Sequence, residues 1–507
     1  MRHLALCLIA LAFASLPATG ATAAAPNVIV ILSDDVGYGD LSCYGAKGVK
    51  TPHLDKLAAG GIRFTDGHTP SGTCTPTRYA MLTGQYPWRK KGTGILTGDA
   101  APIIESGSTT LASIFKDAGY ATGVVGKWHL GLGAGPGQTD WNKEISPGPR
   151  DIGFDYSFIV PATGDRTPCV YVENHRVVGL DPSDPIQVSY KAKIGSDPTG
   201  KENPDLLTKM KHSHGHDMTI VNGIGRIGWM TGGKAARWVD EDMADTLAKK
   251  AVEYIEKNKD KPFFLYFATH SIHVPRVPHQ RFKGTSELGT RGDVIHELDF
   301  QIGEVMNALD RLKLADNTLV LFSSDNGPVI DDGYQENSVA KLGDHKPAGP
   351  HRGGKYSLLE GGHRVPLIVR WPAKIKAEAP GRTSGELVCL VDMPATFAAL
   401  VDRKLPADAA PDSFNVLDAL TGGKSTRESL VHHANGLAIR RGPWKLIPGG
   451  QGGGAKAKDK GNAAGDQLYN LAEDPGESKN LAADKPALVA ELRVLLEKIR
   501  DNEKSRP

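Results

Sequence analysis

Pro26-Asn27-Val28-Ile29-Val30-Ile31-Leu32, running straight into Ser33-Asp34-Asp35-Val36-Gly37-Tyr38-Gly39-Asp40, is the stretch whose reading decides the fold. Its apolar residues do not alternate with polar ones. A strand of that kind is buried on both faces, as in a parallel sheet with helices on each side. Three later stretches repeat the pattern. Tyr120-Ala121-Thr122-Gly123-Val124-Val125-Gly126 leads into Lys127-Trp128-His129-Leu130-Gly131. Pro262-Phe263-Phe264-Leu265-Tyr266-Phe267-Ala268 leads into Thr269-His270-Ser271-Ile272-His273-Val274-Pro275. Thr318-Leu319-Val320-Leu321-Phe322-Ser323 leads into Ser324-Asp325-Asn326-Gly327-Pro328. Helical periodicity fills the intervals, at residues 51–59, 110–118, 237–257 and 298–312. In the third of these, Val239, Met243, Leu247, Val252 and Ile255 form the expected apolar face. The alternation predicts an α/β fold around a mostly parallel sheet. Ligands of such sheets bind beyond the carboxyl ends of the strands. If the four strands run the same way, Asp34, Asp35, Lys127, His129, His273, Asp325 and Asn326 gather along one edge.

Composition narrows the classes. The chain has 507 residues, 40% of them hydrophobic, and a formal net charge of +2. That balance argues against a nucleic-acid-wrapping surface. Residues 1–25 read as an export signal: Arg2 and His3, an apolar stretch from Leu4 to Leu16, then small residues to Ala25. A periplasmic or secreted protein is expected, and no later apolar run is long enough to span a membrane. The five cysteines, Cys7, Cys43, Cys74, Cys169 and Cys389, follow no disulfide framework and no zinc spacing. His212, His214 and His216 alternate, but without a carboxylate or cysteine nearby they read as loop or substrate-facing groups. Beyond about residue 425 the texture changes. Residues 428–433, 437–447 and 468–471 predict a small antiparallel sheet, and 485–502 a last amphipathic helix. The expected organisation is a signal at 1–25, a main catalytic domain at 26–425 and a C-terminal subdomain at 426–507.

Cys74-Thr75-Pro76-Thr77-Arg78, followed by Tyr79 to Gly84, reads as a helix start. Pro76 suits the first turn and Gly84 the stop. Cys74 thus sits where free N–H groups favour an anion, and Arg78, one turn on, points back at the same spot.

This C-x-P-x-R pentapeptide resembles that of the sulfatase family, with Thr77 where many relatives have Ser. The resemblance extends over nearly the whole mature chain: G-K-W-H-L-G at 126–131, H-V-P at 273–275, S-D-N-G at 324–327, G-G-K-x4-E-G-G-x-R-V-P at 353–366 and L-Y-N-L at 468–471. It implies an alkaline-phosphatase-like three-layer α/β/α sandwich with a smaller C-terminal antiparallel-sheet-plus-helix subdomain. It also implies that Cys74 is converted to Cα-formylglycine by a formylglycine-generating enzyme or an anaerobic maturase. Asp34, Asp35, Asp325 and Asn326, with modified Cys74, match the ligands of one hard cation, Ca²⁺. Arg78 and Lys127 match the residues that hold the aldehyde hydrate and sulfate. His129 matches the base that helps collapse the covalent intermediate, and His273 and Lys355 match groups that bind sulfate and aid the leaving oxygen. The implied activity is sulfuric ester hydrolysis on a sulfated glycan or small sulfate ester. The stretch at 162–174 resembles a loop of bacterial polysaccharide sulfatases, which points to a sulfated galactose or N-acetylgalactosamine. Asp165, Arg166, His214 and His216 are the candidate sugar contacts. Three readings compete: a phosphonate or phosphodiester hydrolase of the same superfold, a non-catalytic glycan-binding protein with unmodified Cys74, and, more weakly, a thiol protease.

Overall fold

The computed structural model describes residues 25–376, 378, 381–450 and 464–506. All of the expected export signal except Ala25 lies outside the described residues.

Ten strands form the central sheet, in the order Arg382–Ser384, Ile62–Phe64, Leu367–Arg370, Thr318–Ser324, Asn27–Ser33, Phe263–Ala268, Ala121–Lys127, Tyr156–Val160, Val172–Glu173 and Arg176–Val177. The middle five, from Thr318–Ser324 to Tyr156–Val160, are all parallel. Leu367–Arg370 and Val172–Glu173 flank them in the antiparallel sense. Register sets the strand ends level. Ser33 lies opposite Ser324, Leu32 opposite Ala268, and Ala268 opposite Gly126. Asp34, Asp325 and Lys127 therefore leave the sheet at one rim. Gly126 is required there: its φ is +111°, and a Cβ would stand 1.8 Å from the Ala268 carbonyl oxygen.

The layers follow from strand parity. Phe115 of the helix Leu111–Asp117 stacks on Phe264, while Tyr254 of the helix Met243–Asn258 stands edge-on to Phe263. Successive strand residues face opposite sides, so these helices cover opposite faces. The result is the expected α/β/α sandwich.

Three local expectations are corrected. The helix expected from residue 237 begins at Met243, after a 3₁₀ turn at Asp240–Asp242. Asp240 binds the buried Arg226 through both carboxylate oxygens and draws this segment out of the helix. Val239 is consequently 45% exposed. Ala251 and Tyr254 fill the apolar face where Val252 was expected. The helix expected at 298–312 spans Thr290–Arg311, because Val294 and Ile295 are buried as well. The single strand expected at 437–447 is two, Gly436–Arg441 and Trp444–Ile447, folded back at Gly442 with φ +53°.

These two strands lie between Ser429–Ala434 and Gln467–Asn470 in a four-stranded antiparallel sheet. The helix Pro486–Asp501 buries Leu492 and Leu496 in a cluster with Val431, Ile439, Leu446 and Leu468. Tyr86 and Cys389 join that cluster from the main body. No described helix is long and apolar enough to cross a membrane.

Candidate active site

The helix Cys74–Thr83 starts at the cysteine and ends at Gly84 with φ +67°. No side chain caps its first turn, so its amide N–H groups stay available to an anion. Arg78 is fully buried. Its Nε donates to Asp325 Oδ2 at 2.9 Å, its Nη2 lies 2.7 Å from the same oxygen, and its Nη1 donates to the Lys127 carbonyl at 3.1 Å. Lys127 Nζ donates to Asp34 Oδ2 at 2.5 Å and lies 3.8 Å from Asp325 Oδ2. Lys355 Nζ sits 2.9 Å from Asp35 Oδ1, and Asn326 Nδ2 donates to the same oxygen at 2.7 Å. His273 Nε2 is 3.9 Å from Asp35 Oδ2. Cys74 Sγ is 3.4 Å from His129 Nδ1. All ten residues singled out for metal and catalysis thus meet in one buried cluster.

Two of them adopt backbone angles that side chains seldom tolerate: Asp35 with φ +61° and His129 with φ +54°. Such strain costs on the order of 1–3 kcal/mol each and is found where a site dictates geometry.

The charges explain what the cluster can hold. Burial, and then the neighbouring Asp325, push the Asp34 carboxyl up to about 8. Burial also acts on Asp35, but Lys355, then Lys127, outweigh it and hold that carboxyl below its usual range. Asp34 Oδ1 and Asn326 Oδ1 are buried with no hydrogen-bond partner. Three carboxylates and the Asn326 amide oxygen, packed this closely, suit a hard divalent cation. Asp34 and Asp35, with His273, present ligand atoms within 4.8 Å of one another.

His129 is held well below its usual value, first by burial and then by Lys127 and Arg166. Its Nε2 is 2.9 Å from the Leu96 carbonyl, which only accepts. The proton is therefore assigned to Nε2, and the Nδ1 lone pair faces position 74. The Cys74 thiol itself is pushed up, mainly by burial. A raised thiol beside a neutral imidazole is not the ion pair a thiol protease needs.

The sulfatase family model matches residues 26–402. The chain belongs to the sulfatase family. It is a sulfuric ester hydrolase, as the curated relatives are. An N-acetylgalactosamine-6-O-sulfatase of Bacteroides thetaiotaomicron is 54% identical over 481 residues, 94% of this chain and 93% of that protein. Human arylsulfatase A is 33% identical over 485 residues, 91% of this chain and 84% of that protein. A solved structure described under metabolism of multiple glycosaminoglycans by Bacteroides thetaiotaomicron superposes with a TM-score of 0.91. It is 53% identical and covers 94% of this chain and 100% of that one.

The candidate sugar contacts of this sulfatase divide. Asp165 Oδ2 lies 3.1 Å from His216 Nε2, and Arg166 Nη1 donates to Asp165 Oδ1 and to Thr163 Oγ1, each at 2.8 Å. Thr163 also donates to Asp165. Burial acts on Asp165, but Arg166 and His216 outweigh it and hold the carboxyl well below its usual range. His214 does not join this group. Its ring is exposed, with Nδ1 on Ser213 Oγ at 3.0 Å, and only its carbonyl meets His216. His270 has a supporting place, with Nε2 accepting the Gly164 N–H at 2.8 Å.

Sequence reasoning missed four neighbours of the cluster. Leu96 and Thr75 anchor His129, the latter by a 3.1 Å bond from Oγ1 to its carbonyl. Tyr266 OH is 3.4 Å from Arg78 Nη1. Asp332 Oδ2 is 3.2 Å from Lys355 Nζ. Burial pulls the Lys355 ammonium down, but Asp332 and then Asp35 outweigh it and hold it well above its usual value. Asp332 lies in Asp331-Asp332-Gly333, an ordinary turn signature that marks nothing by itself.

Proposed function

We propose that this sulfatase removes the sulfate of an O-sulfated galacto-type sugar, N-acetylgalactosamine 6-sulfate foremost, with formylglycine at position 74 and one Ca²⁺. The observation that supports the chemistry is the convergence of Arg78, Lys127 and Lys355 on Cys74, with His273 Nε2 3.9 Å from Asp35 beside them. The 54% identity to an N-acetylgalactosamine-6-O-sulfatase, over 94% of the chain, supports the substrate class. Export through residues 1–25, and maturation by a formylglycine-forming enzyme, belong to the same reading.

Formylglycine supplies, as its hydrate, an oxygen nucleophile that a thiol is not. The cation, held by Asp34, Asp35, Asp325 and Asn326, supplies charge that draws in sulfate oxygens. The chain's own groups do the rest. Arg78 and Lys127 are fixed by Asp325 and Asp34, so they need no reorganisation when sulfate arrives. The His129 Nδ1 lone pair takes up a proton from position 74. His273 is oriented by Nδ1 on the Val274 carbonyl at 2.7 Å, which leaves Nε2 for the sulfate and the leaving oxygen. Asp165, Arg166 and His216 supply the polar wall for sugar hydroxyls.

Two measurements test this. Intact mass should place the residue at position 74 about 18 Da below cysteine, as loss of the SH and one Cβ hydrogen with gain of the carbonyl oxygen requires. Turnover should favour 6-sulfated N-acetylgalactosamine over 4-sulfated sugar, aryl sulfate and aryl phosphodiester, and vanish in Cys74→Ala. Preference for the phosphodiester, or for small aryl sulfates alone, would overturn it.

A further inference from the structure

We propose that Asp332 is a positioning residue for Lys355, keeping its ammonium in place so that Asp35 remains free for a cation. The inference rests on the cation site proposed above. The Lys355 side chain is 1% exposed and its Nζ is shared between Asp35, at 2.9 Å, and Asp332, at 3.2 Å. These two claims on Asp35 conflict. A divalent cation on Asp35 repels an ammonium resting on the same carboxylate. Without a second carboxylate, a buried lysine would either hold Asp35 against the cation or be driven from the site. Asp332 is that second carboxylate, and its side chain is 21% exposed, on the solvent side of the pair.

The charge count agrees. With all three carboxylates ionised, as cation binding requires, Asp34, Asp35 and Asp325 match Arg78, Lys127 and Lys355 one for one. Asp332 makes the cluster one negative charge in excess. A divalent cation turns this into one positive charge, which a singly charged sulfate ester neutralises.

Asp332 is also held independently of Lys355. Gly333 packs so closely on His216 that a Cβ would stand 2.1 Å from the ring, and its φ is +97°. Tyr334 lies 4.4 Å from the same ring, centroid to centroid, and its hydroxyl donates to the Gly225 carbonyl at 2.7 Å. Gln335 N–H donates to the Lys211 carbonyl at 2.9 Å. The turn is pinned to the His216 side and presents Asp332 to Lys355 from there. Lysine placement is thereby tied to the wall proposed to read the sugar.

The test is calcium titration by calorimetry on chelator-stripped protein, with kcat and KM measured in parallel. Asp332 is partly exposed, so its loss is expected at the scale of one charged hydrogen bond, about tenfold in affinity. Asp332→Ala and Asp332→Asn should therefore weaken calcium about tenfold and lower kcat by a similar factor, and Asp332→Glu should recover part of both. The deciding variant is Lys355→Met. With the lysine gone, adding Asp332→Asn should no longer weaken calcium, a suppression that a merely structural role would not produce. Calcium affinity unchanged in Asp332→Asn, or weakened equally with and without Lys355, overturns the inference. Wild-type protein that binds no calcium overturns the cation site itself, a separate failure. If Asp332→Ala does not fold, the isosteric Asp332→Asn decides.

Discussion

Cys74 Sγ and His129 Nδ1 are 3.4 Å apart, and the far nitrogen of the same ring is tied to the Leu96 carbonyl at 2.9 Å. The ring can accept a proton from position 74 only through Nδ1. His129→Ala should lower kcat by about 10²- to 10⁴-fold, the usual worth of a positioned acid–base group. KM should change far less, because the cations proposed to face sulfate remain. Steady-state kinetics on aryl sulfate checks this, and a change confined to KM would contradict it.

Arg78 and Asp325 form a fully buried ion pair at 2.7 Å. Asp325→Ala leaves the guanidinium without its carboxylate, which costs about 3–5 kcal/mol for a buried pair broken on one side. Denaturant unfolding should show a lowered midpoint. Asp325→Asn, which keeps an oxygen for Arg78, should lose less stability yet be equally inactive. Equal stability of Asp325→Ala and the wild type would refute the pairing.

Asp165 Oδ2 and His216 Nε2 are 3.1 Å apart, in the wall proposed to read the sugar. Asp165→Asn should raise KM for a sulfated sugar about tenfold, the scale of one lost charged hydrogen bond. Turnover of a small aryl sulfate should stay within about twofold. Equal losses on both substrates would move Asp165 from sugar recognition to general support of the site.

Burial pushes the Glu297 carboxyl up to about 8, against the bond that its Oε1 accepts from the His279 N–H at 3.0 Å. An acid raised on folding contributes stability that is whole below its unfolded value near 4.5 and lost as pH rises through about 8. Glu297→Gln keeps the accepting oxygen and cannot ionise. Its unfolding free energy from denaturant titration should match the wild type at pH 4.5 and exceed it at pH 8.5, by an amount on the order of 1–3 kcal/mol. A difference that does not vary with pH would rule this out.

Much of this was legible in sequence because the signals are local. Unbroken apolar runs such as Val28–Leu32 announce strands buried on both sides, since burial acts on each residue where it stands. Pro76 and Gly84 announce the helix that carries Cys74. The family motifs then name ten residues, and the structure brings those ten together. Misreadings arose where a distant partner overrode a local pattern. Arg226 holds Asp240 out of the helix that periodicity would have begun at residue 237. His214 and His216 look equivalent in the chain, but only His216 meets Asp165.

The sequence by itself thus determined the four apolar strands, the presence of helices between them, and the polar residues at the strand ends. Tertiary structure alone decided that the four strands run in one direction with Ser33 level with Ser324 and Leu32 level with Ala268, so that their end residues meet. It alone placed Asp332 on Lys355, across 23 positions of chain. The reason is physical: hydrophobic periodicity and turn chemistry are properties of neighbours along the chain, whereas register and buried charge pairing exist only between segments that folding has already set side by side.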